Sequence, residues 1–149
     1  MDSGLSLRSP RNDGAHMTDA KPAITSAEPQ LFVADINSSC TFFADKLGFA
    51  VVFTYGEPPF YAQVGRDGAS LTLRHVDAPV IDPVLRDREE LLSASLTVAT
   101  RADIEALYRE YQASGVSFFQ ALKDEPWGAC DFIVADIDGN LLLFAGPGK

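Results

Sequence analysis

The sequence predicts an α+β domain made of two βαβββ repeats that form a curved, cup-shaped mixed sheet with helices outside. Three observations carry that expectation. The turn Asp67-Gly68 that opens DGASLTL returns as Asp138-Gly139 in DGNLLLF. A helix-period stretch lies upstream of each turn and is ended by a glycine, Gly48 in the first case and Gly115 in the second. Val33 with Asp35 stands before the first stretch as Val98 with Thr100 stands before the second. The marks therefore recur at offsets of 65, 67 and 71 residues in the same order.

Taken along the chain, residues 1–27 are rich in Ser, Asp, Gly and Pro and are expected to form a disordered tail, with Met17 a candidate true start. Residues 28–146 are expected to be the single domain: repeat one at 28–76, a linker at 77–91 and repeat two at 92–146. In NSSCTFFADKL, Phe43 and Leu47 are four apart with Cys40 and Phe42 beside them, which predicts a helix stopped by Gly48. FAVVF then reads as a β-branched and aromatic strand, and Asp67-Gly68 opens the last strand of the repeat. VDAPVIDPVLRDREE carries prolines and charge and reads as surface linker. In repeat two Thr100 caps a helix with Asp103 at the capping-box position, where Glu or Gln is usual. Ile104, Leu107, Tyr108 and Tyr111 make its apolar face, and VSFF follows Gly115.

One helix for about four strands cannot cover both faces of a sheet. With Leu71, Leu73, Ala94, Leu96, Val98, Leu142 and Phe144 turned to the helices, alternation puts Ser70, Thr72, Arg74, Ser93, Ser95, Thr97, Leu141 and Leu143 on the opposite face. A face rich in hydroxyls on a curved sheet is a ligand cup.

Composition narrows the function. A net charge of −9 offers no basic footprint for nucleic acid and favours cations instead. No stretch is apolar and long enough for a membrane span or a signal peptide, so a cytoplasmic protein is expected. Cys40 and Cys130 stand apart without a partner motif, which fits a reducing compartment.

Three motifs, VADINSSCTFFADKLGF (33–49), FYAQVGRDGASLTL (60–73) and PWGACDFIVADIDGNLLLF (126–144), make the chain similar to the vicinal oxygen chelate superfamily of glyoxalase I, extradiol dioxygenases and bleomycin and fosfomycin resistance proteins. Metal-using members of that family take one ligand from the first and one from the last strand of each repeat. The resemblance places those positions at Glu28, Thr72, Ser93 and Leu143. Thr, Ser and Leu leave at most one carboxylate for a divalent ion, so no metal and no cofactor is expected. The two histidines do not repair this: His16 is in the tail, and His75 has the wrong parity.

Without a metal, the chain most resembles the bleomycin-resistance branch, whose members sequester a drug at the interface of a homodimer. The resemblance implies a small-molecule ligand, planar or cationic, held by a homodimer, with no catalytic residue assigned. The expected ligand-binding residues are Tyr55, Phe60, Tyr61 and Trp127 as stacking aromatics, with Thr72, Arg74, Ser93, Ser95, Thr97 and Leu143 on the cup face. Arg74 is expected to meet Glu28. The alternatives are a metal-independent or atypical lyase, isomerase or dioxygenase-type enzyme using His75, Glu125 or Asp131, and a regulatory or structural partner-binding module.

Overall fold

A computed structural model describes residues 20–149, so Met17, His16 and most of the expected tail lie outside the described residues. Ala20 to Glu28 are exposed and without regular structure. The first repeat then runs β1 (Gln30–Val33), α1 (Ile36–Leu47), β2 (Ala50–Tyr55), β3 (Tyr61–Arg66) and β4 (Ala69–His75). The second runs β5 (Leu92–Thr97), α3 (Arg101–Ser114), β6 (Ser117–Asp124), β7 (Ala129–Ala135) and β8 (Leu141–Pro147). Between them the expected linker holds a short helix, α2 (Pro83–Glu89). Its start is local chemistry that the proline-based reading passed over: Asp82 accepts the Val84 N–H, and Pro83 opens the first turn, where its missing donor costs nothing.

Both main helices begin and end for the same reasons. Asp35 accepts the Ser38 N–H at 2.8 Å and Thr100 accepts the Asp103 N–H at 3.0 Å, each satisfying a donor that the first turn leaves free. Gly48 and Gly115 then take φ of +74° and +78°, a left-handed cap that a side chain resists.

The sheets repeat one another in topology: β1-β4-β3-β2 and β5-β8-β7-β6, with the first pair parallel and the others antiparallel in each. They remain two four-stranded sheets within the chain, and no ladder joins edge strand β1 to edge strand β5. One core serves both. Phe43 and Leu47 of α1 meet Leu31, Val64 and Leu73 of the first sheet, and Ile104 and Tyr111 of α3 meet Phe132, Val134 and Phe144 of the second. Phe132 is the centre of the second half, stacked on Phe144 at 5.3 Å and edge-on to Phe118 and Tyr111. Such pairs add about 0.5–1.5 kcal/mol each beyond area burial.

The halves are tied at both ends. Tyr111 donates its hydroxyl to the Leu47 carbonyl oxygen at 2.9 Å, Arg66 donates to the same oxygen at 2.8 Å, and Lys46 and Ser114 exchange bonds to each other's carbonyls. At the other end the 136–140 turn grips β1. Ala34 donates its N–H to Asp138 Oδ1 at 2.9 Å, and Asn140 Nδ2 donates to the Phe32 carbonyl oxygen at 3.0 Å.

Candidate ligand-binding faces

Alternation along each strand turns one face to the helices and leaves the other for chemistry. Because the ladders fix which residues stand abreast, that far face can be written as rows. Across the first sheet, Tyr55, Tyr61, Arg74 and Phe32 form one row, and Phe53, Gln63, Thr72 and Gln30 the next. Across the second sheet, Ser95, Leu143, Ile133 and Gln120 form a row, and Thr97, Ala145, Asp131 and Lys123 another.

These rows relocate several expected residues. Thr72 stands beside Gln30, and Glu28 precedes the strand and is bonded by Ser26, so counting back from Val33 overshoots the register by two. Arg74 stands beside Phe32 and is exposed, so the expected Arg74–Glu28 tie does not form. Ser93 is the extra residue of a bulge: the register passes from Leu92 opposite Leu141 to Ala94 opposite Leu142. Ser95 takes the place beside Leu143 that had been assigned to Ser93, since counting back from Val98 also overshoots by two. Thr72 is buried, with both its N–H and its hydroxyl directed at the Pro29 carbonyl oxygen, at 3.0 and 3.3 Å.

The aromatic residues fall into two places. Tyr55 and Phe60 pack edge to face at 5.6 Å and Phe53 lies 6.0 Å from Tyr61, all on the β2–β3 side of the first sheet. Trp127, 73% exposed, sits on the turn between β6 and β7. It belongs to the other sheet. The structure thus gathers Tyr55, Tyr61, Thr72 and Arg74 on one face and Ser95, Thr97 and Leu143 on another, with Phe60 and Trp127 on flanking turns.

Further residues with functional potential were not singled out from the sequence. Phe32, Phe53 and Gln63 share the first face, and Gln63 donates to Ser70 at 2.6 Å. Gln120 and Lys123 join the second, hidden in the sequence because two register shifts in β6 break its alternation. Around them Asp131 and Glu125 come together. Asp131 is 3% exposed and accepts from Gln120 Nε2 at 2.8 Å, while Glu125 lies 3.6 Å from the Lys123 ammonium. Burial and then the neighbouring Asp131 carboxyl push the Glu125 carboxyl above its ordinary value, because a second negative charge is unfavourable there. His75 lies elsewhere, at the end of β4, with Nδ1 on the Ala34 carbonyl and Nε2 on Asp77; those two bonds raise its pKa.

The metal that the resemblance implies does not fit this donor set. Gln30 with Thr72 and Ser95 with Leu143 offer no carboxylate, imidazole or thiolate, and among the described residues no three His, Cys, Asp or Glu side chains converge. No chemistry routed through a divalent ion follows from these faces.

Comparison with known proteins places the fold. The family model described as Glyoxalase/Bleomycin resistance protein/Dioxygenase superfamily matches residues 23–144. Among solved structures, a bleomycin resistance determinant encoded on the transposon Tn5 is similar at a TM-score of 0.64 and 21% identity, over 85% of this chain and 100% of that one. The bleomycin-binding protein from bleomycin-producing Streptomyces verticillus, complexed with copper(II)-bleomycin, gives 0.63 and 20% over 87% and 100%. A glyoxalase/bleomycin resistance protein/dioxygenase from Alicyclobacillus acidocaldarius gives 0.67 and 17% over 84% and 92%. No curated protein matches the chain.

Proposed function

Since the chain belongs to the glyoxalase/bleomycin resistance protein/dioxygenase superfamily, we propose that it is a metal-free binding protein of that family, one that holds a small planar or cationic organic molecule and thereby sequesters it in the cytoplasm. The observation that carries this reading is the composition of the far-face rows. They offer aromatic rings and hydroxyls where metal chemistry would need carboxylates and imidazoles, together with the Glu125–Asp131 carboxyl pair to favour a cation. Within one chain the two faces belong to separate sheets, so a homodimer that sets a first-repeat face against a second-repeat face is part of the proposal.

The test is a fluorescence titration. Trp127 is the sole tryptophan, so its emission reports ligands at the β6–β7 turn directly. A panel of glycopeptides and planar aromatic cations should quench or shift it saturably. Removing a stacking aromatic costs about 1–3 kcal/mol, so Trp127→Ala should weaken binding roughly 5- to 150-fold without unfolding the protein. Elemental analysis of protein purified without chelator should find far less than one equivalent of Ni, Zn, Fe or Mn. A stoichiometric metal that survives dialysis would overturn the reading. Metal-independent turnover of a small molecule with no Trp127 response would favour an enzyme, with Glu125, Asp131 and His75 the residues to replace.

A further inference from the structure

The duplication does not finish its two halves alike. At the end of repeat two, Asp138 accepts the Ala34 N–H, Asn140 donates to the Phe32 carbonyl oxygen, and buried Asp136 holds the turn by accepting from the Asp138 and Asn140 N–H groups. The repeat offsets carry Asp136, Asp138 and Asn140 onto Gly65, Asp67 and Ala69, and Phe32 and Ala34 onto Thr97 and Ala99. Gly65 and Ala69 carry no side-chain donor or acceptor, and the Asp67 side chain is 93% exposed. The clamp is missing from this end.

A cavity of about 890 Å³ lies there instead, between the β3–β4 turn and residues 95–99, with Leu71, Leu107, Tyr111 and Phe144 among its apolar walls. That volume suits an organic ligand. Its backbone wall is also open to pairing. Val98 donates its N–H to the Ala145 carbonyl at 2.9 Å, so in the parallel ladder residues 96 and 98 serve β8 and the N–H and C=O of Thr97 face away from it, as those of Phe32 do in β1. No described residue accepts from the Ala99 N–H. Asp67, Asp103 and Glu110 stand at the rim, and Arg66, the cation among them, is bidentate to Glu110.

The geometry points to a second binding site in this groove, beside the second-sheet far face with which it shares Ser95 and Thr97, for a neutral or cationic apolar molecule that carries an extended amide. Its N–H goes to the Thr97 carbonyl oxygen and its C=O takes the Ala99 N–H, the same two bonds that Asn140 and Asp138 supply at the other end. One residue of extended backbone presents an N–H and a C=O to the same side and satisfies both. The rim carboxylates disfavour anions.

The probe is N-acetyl-phenylalanine N-methylamide, titrated into the full-length protein and followed by amide NMR. Saturable shifts are expected at Ala99, Gly68 and Ala69, with the Trp127 indole unmoved. The ester analogue, which lacks the donor N–H, should bind at least tenfold more weakly. Ala106→Trp, on an exposed helical position lining the groove, should fill it and abolish the Ala99 response without touching the backbone wall. No shift at Ala99 up to the solubility limit overturns the proposal. So do shifts confined to Trp127, equal binding of the ester, or groove signals that change with protein concentration rather than with probe, since the last would mean a second copy covers the groove.

Discussion

Asn140 Nδ2 donates both to the Phe32 carbonyl oxygen and to Asp136 Oδ2, each at 3.0 Å, so one buried amide closes its own turn and clasps the first repeat. Removing it leaves two acceptors without their donor. Unpaired buried polar groups cost about 1–3 kcal/mol each, and the main-chain bonds of the turn would share the loss. Asn140→Ala should therefore destabilise the protein by about 2 kcal/mol or more in denaturant unfolding, with ligand affinity at the far faces retained. A change below about 0.5 kcal/mol would show that the clasp is not a structural tie.

Arg66 and Glu110 tie the opposite end, and their bond has a pH signature. The Arg66 guanidinium holds the Glu110 carboxyl below its ordinary value of 4.5. A depressed carboxylate contributes stability that is present above the ordinary value and is lost as pH falls through the folded one. The Glu110 side chain is 46% exposed, so solvent limits the pair to about 0.2–1 kcal/mol. Glu110→Gln should melt slightly below the parent at pH 7, and the gap should close in acid below 4.5. A gap that persists unchanged at low pH would contradict the ion-pair account.

Much of this architecture was legible in the sequence because it rests on local rules. Thr100, Gly48 and Gly115 announce helix boundaries through caps that depend on a few neighbouring residues, and the repeated Asp-Gly turns announce the hairpins. The far-face rows were legible only where strands run without interruption, as from Ser70 through Thr72 to Arg74. Two bulges within β6 shift its alternation by one residue each, which is why Gln120 and Lys123 were passed over. Counting back from Val98 overshoots by two at Ser93, as counting back from Val33 does at Glu28, so Ser95 holds the expected place. Pairing between distant strands decides such shifts. The split into two sheets was equally out of reach, since it depends on how α1 and α3 meet in a shared core.

Assembly follows from what the far faces leave uncovered. Phe53, Tyr55, Leu92 and Phe119 are exposed, and β2 and β6 are sheet edges. Apolar surface beside unpaired edges favours burial against a second copy. Light scattering at micromolar concentration should give a homodimer. Phe53→Asp, which puts a charge into that surface, should weaken self-association at least tenfold, an amount expected for an interface anchor worth about 1.4 kcal/mol or more. A parent protein that is monomeric at these concentrations would rule out a ligand site shared between chains.

The Glu125–Asp131 pair sets how binding should respond to pH. Burial and the Asp131 carboxyl keep the Glu125 proton on above the ordinary value of 4.5, so below the elevated pKa the pair carries one negative charge fewer than above it. Lys123 at 3.6 Å opposes that shift but does not reverse its direction. As pH rises through the elevated pKa the second charge appears, and a cation bound at this face gains a partner. Affinity for a planar aromatic cation such as acriflavine should therefore climb across a single step lying above 4.5. Glu125→Gln keeps the shape and removes the ionisation, and should flatten the profile at the low-pH affinity. A neutral isostere of the dye should show no step with either protein. If the parent and Glu125→Gln give the same pH profile, the cation does not meet this pair, and recognition on the second sheet rests on Trp127 and the Ser95 and Thr97 hydroxyls alone.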